Sequence, residues 1–311
     1  MDAAGIQAAG NRRSWSDLFG PTTCVRLAIV SALICFVYWG PIRWLLVARW
    51  IEDGNWSHGW LIPLFSLYFV YSKAPQLFAT TPRPSYVGAV VLALSLAVYF
   101  TFSWVVPMGY LQAVSIVGTI FGVTLLLGGW AIVRIVWFPI VFLLLAVPLP
   151  HRIYVELTRP LREWASTAAA AIMPLFVTGL HTEAQAVVID YLAPGGLSGQ
   201  LNVEEACSGM RLMMAFVTLG VAMAYLGDRP AWQRVIMVVF CVPIAVFCNT
   251  IRVTMTGLFL ITGRTELAQG TPHQLLGIAM LVLALGMFAL VGYVLANLFV
   301  EVTDDAEFAD V

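Results

Sequence analysis

The sequence predicts an all-α polytopic membrane protein of about eight transmembrane helices, with an extracytoplasmic interfacial or re-entrant segment and a short β-hairpin before the sixth span. Three observations carry this. First, the 311 residues are 60% hydrophobic and only 11% charged, whereas a soluble domain carries roughly 25% charged residues. Second, apolar stretches of about 17–25 residues recur, the length a helix needs to cross a bilayer. Third, one long stretch, 149–206, breaks that rhythm with charges, prolines and glycines.

The elements follow in order. The first 21 residues are polar, with Arg12 and Arg13, and residues 1–24 read as a cytoplasmic N-terminal segment. The first apolar run lacks a small-residue cleavage site, so no cleavable signal peptide is expected. Spans are expected at about 25–45, 57–72, 86–104, 110–128, 131–148, 207–226, 232–262 and 273–299, within a transmembrane domain of 25–300. Pro75 with Pro82 and Pro84, Gly128-Gly129, Asp228-Arg229-Pro230 and Gly263-Arg264 separate them. The seventh run is long, and Pro243 with the polar Asn249-Thr250 is expected to kink or divide it. Residues 301–311 form an acidic tail.

Basic residues orient the chain. With both termini cytoplasmic, the inside carries Arg12, Arg13, Arg26, Lys73, Arg83, Arg134, Arg229 and Arg234, and the short outside loops carry Arg43, Arg49 and Arg264. The outer loop region 149–206 opens with Arg152, Glu156, Arg159, Arg162 and Glu163 interleaved with Ile153, Val155, Leu157 and Leu161, the pattern of an interfacial helix. Ala165–Leu180, Ala-rich around Pro174, reads as a re-entrant or surface-lying helix. Val187-Val188-Ile189, Pro194-Gly195-Gly196 and Leu201-Asn202-Val203 read as a β-hairpin. That hairpin delivers Cys207 to the extracytoplasmic membrane surface, where Arg252 and His273 also fall in this topology.

Composition excludes several chemistries. The net charge of −1 argues against nucleic acid as a partner. The five cysteines show no CxxC spacing, so neither a disulfide framework nor a zinc site is indicated. The histidines and acids lack metal-ligand spacing such as HExxH, and there is no GxSxG elbow, Walker loop or GxGxxG. No metal or cofactor is expected.

A thiol-based site is the reading that the candidates support. Cys207 stands where a polar loop enters an apolar segment. A helix N-terminus and neighbouring cations lower a thiol's pKa, and the unpaired N–H groups of a helix start can serve an oxyanion. Arg252 lies deep in an apolar run, where arginine points to a protein interior or wet cavity; it can favour a thiolate, hold an oxyanion or bind a substrate carboxylate. The competing reading is an arginine that snorkels to the interface. His273 opens the last span and can move the thiol proton to a leaving amine, or simply cap the helix. Asn249, one turn before Arg252, can orient it. His58, in Ser57-His58-Gly59, can line a substrate entrance or cap its segment with Ser57.

Taken together, these segments resemble the exosortase/archaeosortase family of membrane cysteine transpeptidases. Glu205-Ala206-Cys207-Ser208-Gly209-Met210-Arg211 resembles its nucleophile motif. Asn249 to Arg252, with Val253 and Thr256-Gly257, resembles its arginine segment, and His273 with Gly277 its histidine segment. Ser57-His58-Gly59, followed by Ile62-Pro63-Leu64 and Leu67-Tyr68, is similar to its N-terminal SHG motif. Val147-Pro148-Leu149-Pro150 and the Pro194-Gly195-Gly196 loop also fit, and the order matches over about residues 50–290.

The resemblance implies catalysis by Cys207, Arg252 and His273, with His58, Asn249, Glu205, Ser208, Gly209 and Arg211 in supporting or substrate-binding roles. It also implies substrates that end in a short motif (Pro-Glu-Pro in the commonest class), a transmembrane helix and a basic cluster, processed through a thioester on Cys207. A glycan or lipid then accepts the product, or water releases it. The histidine points to the bacterial, exosortase branch, hence to a bacterial inner membrane with the site facing the periplasm. Alternatives from other classes are a transporter, a glycan polymerase or ligase, and a scaffold for surface-polymer assembly.

Overall fold

The computed structural model describes residues 21–203, 210–227, 229–268 and 270–298, with backbone alone for 21–23, 210–213 and Gln274. The described chain forms two compact units, one through His151 and one from Arg152.

The first unit begins with α1 (Pro21–Val37), a π-helical turn (Pro41–Val47) and α2 (Ala48–Glu52). Cys24–Val37 and Pro41–Glu52 meet at 76°. Pro41 opens the second piece, and a residue without an N–H cannot continue the preceding ladder. At this bend the buried Tyr38 hydroxyl hydrogen-bonds Thr119 Oγ1 at 2.8 Å. A 3-10 segment (Gly54–Trp60) leads into α3 (Leu61–Ser72), and α4 (Ala74–Ala79) carries Pro75 in its first turn. Helix α5 (Val87–Phe100), extended by a π-helical turn over Thr101–Val105, packs along α6 (Gly109–Phe142).

Gly129 governs this packing. With the 3-10 turn Leu143–Ala146, the α6 run is 38 residues long, or about 57 Å at 1.5 Å per residue. A hydrocarbon core is only about 30 Å thick. The non-helical Gly129 (φ 74°, ψ −176°) breaks the run into pieces close to the spans expected at 110–128 and 131–148. A Cβ there would lie 1.8 Å from the Arg83 carbonyl oxygen, so both the dihedral and the close approach require glycine.

In the second unit, α7 (His151–Ile172) is strongly amphipathic. It absorbs the expected interfacial helix and much of the segment read as re-entrant, and ends in a 3-10 turn, Met173–Leu175. Next come β1 (His181–Gln185), β2 (Val188–Leu192) and β3 (Ser198–Asn202), an antiparallel sheet in the order β1-β2-β3. The hairpin of the sequence reading corresponds to β2–β3. β1, His-Thr-Glu-Ala-Gln, lacks the alternating apolar signal that would have revealed it. Ala186 (φ 55°) closes the β1–β2 turn.

Helices α8 (Met210–Leu226), α9 (Ala231–Val239), α10 (Cys241–Ile261), α11 (Thr265–Ala268) and α12 (Gly270–Asn297) complete the unit. The long seventh run divides between α9 and α10 at Phe240, not at Asn249-Thr250. Pro243 falls in the first turn of α10, where its missing N–H costs no intrahelical bond. A core of Phe216, Met237, Ile244, Cys248, Ala284 and Phe288 joins α8, α9, α10 and α12.

Among the described residues, four helices are long and apolar enough to cross a membrane: Val87–Val105, Gly109–Ala146, Ala231–Ile261 and Gly270–Asn297. The bent Cys24–Glu52 pair makes a fifth if it counts as one. The expected count of eight is not reached on these criteria. α3 spans only 12 residues, the apolar part of α8 is short, and α6 carries two expected spans in one broken run.

Gly129→Ala should destabilise the protein by about 2 kcal/mol or more, from a strained φ plus the clash. A thermal midpoint in detergent unchanged from wild type would mean that α6 tolerates a side chain at its break.

Candidate active site

Helix α10 faces two cores. Ile244, Ala245 and Cys248 enter the helical core, whereas Val253 and Ile261 join a second core with Ala169, Met173, Ile189, Leu201 and Val203, which seats the sheet on α7 and α10. Gly257 lies where the sheet comes closest. A Cβ there would stand 2.6 Å from Met173 Sδ and 3.0 Å from Leu201 Cδ2. Further ties hold the sheet to α7: Thr182 Oγ1 donates to the Ala170 carbonyl at 2.6 Å, and Ser166 Oγ donates to the Ala186 carbonyl.

Between the two cores sits Arg252, 4% exposed. Burial at that depth excludes the snorkelling alternative. Its Nη2 lies 2.7 Å from Nε2 of His273, which is half-buried in the first turn of α12. Guanidinium nitrogens only donate, so Nε2 is the acceptor and the His273 proton resides on Nδ1. The contact therefore requires a neutral imidazole, because an imidazolium has no lone pair left to accept. Two residues 21 positions apart, singled out separately in the sequence, thus meet in space.

Asn249 is half-buried on α10, and no hydrogen bond joins it to Arg252 among the described residues. Glu205, Cys207, Ser208 and Gly209 lie outside the described residues, and of Arg211 only the backbone, in α8, is described. Of the other cysteines described, Cys35, Cys241 and Cys248 are free thiols. No group of His, Cys, Asp and Glu among the described residues could hold a metal ion.

His58 belongs to the first unit, in the 3-10 segment ahead of α3 and outside the four long helices. Asp53 caps this segment by accepting the Asn55 N–H at 3.0 Å. Ser57 Oγ donates to the Gly54 carbonyl at 3.0 Å, so Ser57 closes its own turn. Gly59 is dictated by packing: a Cβ there would strike the Trp50 indole at 2.2 Å, and Trp50 Nε1 is held by the Ala146 carbonyl at 2.9 Å. The His58 imidazole is buried, and neither ring nitrogen has a hydrogen-bond partner among the described residues. Burial pushes its pKa down to about 4.

The sequence reading missed two features. Arg162, grouped with the solvated charges of the interfacial helix, is 2% exposed and donates to the Val155 carbonyl at 3.1 Å and to Thr158 Oγ1 at 3.3 Å. The polar row Thr158, Arg162, Ser166 at i, i+4, i+8 was its signal. The second is an apolar groove of about 600 Å³ between α7 and α10, walled by Trp164, Ile172, Phe176, Phe247 and Met255, with the buried Thr254 in its lining. Its residues come from two distant segments, so no single stretch of sequence displayed it.

Comparison with known families gives the identification. The family model for transmembrane exosortase matches residues 50–290, most of the chain, and the protein belongs to that family. It is a multi-pass membrane protein of a family of protein-sorting transpeptidases, generally cysteine enzymes, acting on membrane-exported substrates with C-terminal sorting signals. No curated protein and no solved structure matches the chain.

Two expectations follow from the geometry. His273→Ala should destabilise by about 1–3 kcal/mol, because the buried Arg252 guanidinium loses an acceptor, whereas His273→Gln should recover most of that loss through its amide oxygen. Equal denaturation midpoints for the Ala and Gln variants would show that the contact carries no stability.

The second expectation concerns acid. The unfolded chain protonates His58 near pH 6.5, the folded one only near 4. Stability should therefore fall as pH drops from about 6.5 to 4 and level off below, an effect on the order of 3 kcal/mol. His58→Phe should flatten that part of the pH–stability profile without loss at pH 7; an unaltered profile would place the acid sensitivity elsewhere.

Proposed function

We propose that the protein cleaves C-terminal sorting signals of exported, membrane-anchored proteins at the extracytoplasmic face of a bacterial inner membrane. Cys207 is the nucleophile, Arg252 the charge-stabilising group and His273 the proton carrier. The observation that carries this reading is the 2.7 Å contact between Arg252 and His273, in a chain whose nucleophile-like motif surrounds Cys207. Four further residues offered by the resemblance, Glu205, Ser208, Gly209 and Arg211, flank the thiol in sequence and are assigned to its support, as Asn249 is to that of Arg252. His58 is assigned to the substrate. A buried imidazole lacking hydrogen-bond partners costs stability, and such a cost is common where a group serves binding rather than folding.

The chemistry proceeds as follows. The Cys207 thiol attacks the carbonyl carbon of the scissile peptide bond, giving up its proton to His273 as the carbonyl oxygen takes up the electron pair. Arg252 turns a guanidinium N–H to that oxyanion, which frees Nε2 of His273. His273 carries the thiol proton to the departing amine, the C–N bond breaks and a thioester remains. An acceptor, either water or a nucleophile on a glycan or lipid, then displaces the thiol. The groove between α7 and α10 supports lateral approach of an apolar segment, and confinement to the bilayer supplies proximity.

Family membership favours this reading over a transporter, a glycan polymerase or ligase, and a scaffold. The test is co-expression with an exported reporter that ends in a Pro-Glu-Pro segment, an apolar helix of about 20 residues and a basic tail, read by intact mass. Wild type should remove the tail, and Cys207→Ala, accumulating to the same level, should not. Cleavage by both would remove Cys207 from the mechanism. Arg252→Lys should lower processing by at least about tenfold, since a point charge does not reproduce the guanidinium's fan of donors; near-normal processing would make Arg252 a structural residue.

A further inference from the structure

We infer that Thr256 supplies a second hydrogen-bond donor, beside Arg252, to the carbonyl oxygen of the scissile bond. The inference rests on the reading that Arg252 meets that oxygen as it becomes anionic.

The hydroxyl of Thr256 is an exception on its own helix. A helical threonine ordinarily returns its Oγ1–H to the carbonyl one turn back. Thr250 donates in this way to Val246 at 2.9 Å, and Thr262, at the end of α10, to Leu258 at 2.7 Å. Thr256 makes no such bond to the Arg252 carbonyl. It is 2% exposed, and its Oγ1 has no hydrogen-bond partner among the described residues. A buried hydroxyl left in that state costs stability, although the helix offers a carbonyl that would remove the cost.

Helical geometry shows what this hydroxyl is set beside. Residues four apart lie about 40° apart around the axis and about 6 Å along it, so Thr256 shares the face of Arg252. Thr254, whose Oγ1 is likewise unpartnered among the described residues, lies about 160° from Arg252. Thr254 and Thr250 line the groove toward α7, and neither Arg252 nor Thr256 does. Val253 and Gly257 turn to the sheet, and Ile244 and Cys248 to the helical core. The strip that carries Arg252 and Thr256 runs between these two cores.

Arg252 extends along the same strip. α10 ends at Ile261, α12 opens at Gly270, and the two helices pack on each other and on the short α11 that joins them. His273, in the first turn of α12, therefore lies toward the C-terminal end of α10. To bring Nη2 within 2.7 Å of His273 Nε2, the Arg252 side chain reaches toward that end, over the turn that holds Thr256.

The role follows from the chemistry proposed above. As the Cys207 sulfur adds to the carbonyl carbon, the C=O electron pair moves onto oxygen. Arg252 and Thr256 each donate a hydrogen bond to that oxygen and keep their protons. Both are released when the carbonyl re-forms and the amine departs. A donor with no partner in the ground state has no bond to break before it serves, so its whole contribution falls on the transition state.

The test uses the purified full-length enzyme in detergent and the Pro-Glu-Pro reporter. Thr256→Val replaces the hydroxyl by a methyl group and should lower kcat about a hundredfold, with KM changed by less than about threefold. Its thermal midpoint should equal or exceed that of wild type, because an unsatisfied hydroxyl is gone. Thr256→Ser, which keeps the donor, should recover most of the rate. Thr218→Val removes another buried hydroxyl that is unpartnered among the described residues, on α8, and should process at the wild-type rate. A wild-type kcat for Thr256→Val would overturn the inference, as would an equal fall in Thr218→Val, the mark of disturbed packing. A lowered thermal midpoint for Thr256→Val would assign the hydroxyl to folding and also overturn it. Cys207→Ala reports the thiol reading by itself. Cleavage by that variant overturns both readings, whereas an inert Cys207→Ala beside a fully active Thr256→Val removes Thr256 alone.

Discussion

A guanidinium in an apolar helix must be compensated where it is buried, and the second unit is arranged around that requirement. Arg252 cannot shed its proton and cannot reach water from between two hydrophobic cores. Among the described residues, the group set against it is the His273 imidazole, acting as acceptor. That choice keeps His273 neutral, with a proton on Nδ1 and its Nε2 lone pair committed to Arg252. A structural demand and a chemical opportunity coincide here. A contact that helps to make the buried charge tolerable is also one that, in the proposed mechanism, an incoming anionic oxygen would replace.

The same helix links two kinds of structure. One face of α10 completes a helical core with α8, α9 and α12, and the other supports a small sheet through Val253, Gly257 and Ile261. A three-stranded sheet of five-residue strands is marginal alone. Here its inner side chains Ile189, Leu201 and Val203 are buried against α7 and α10, and hydrogen bonds from Ser166 and Thr182 anchor it to neighbouring carbonyls. The chain thereby reaches position 203 on a rigid support immediately before the segment that holds Cys207.

In the first unit, backbone requirements dominate. The helix ladder breaks where proline or glycine forces it to, at Pro41 and Gly129, and the neighbouring chain fills the gap. Arg83 donates its N–H to the Gly128 carbonyl at 3.1 Å, and Tyr38 pairs with Thr119. Satisfying every backbone and hydroxyl group inside the chain is the condition for existing in hydrocarbon. His58 departs from that economy, buried with both ring nitrogens unsatisfied among the described residues.

Composition and run length by themselves determined that this is a helical membrane protein. Rare polar residues in apolar surroundings marked Arg252, His273 and His58, because a charge or imidazole in such a context is costly enough to stand out locally. Span number was less legible: α6 is continuous in hydropathy yet broken by one dihedral, and α10 ignores the polar Asn249-Thr250 that looked like a break. Only the tertiary structure decided that Arg252 and His273 touch, that Arg162 is inside rather than solvated, and that a strand as polar as β1 belongs to a sheet. Each of these depends on partners remote in sequence. A local pattern records what a residue costs to bury, but not which distant group repays that cost.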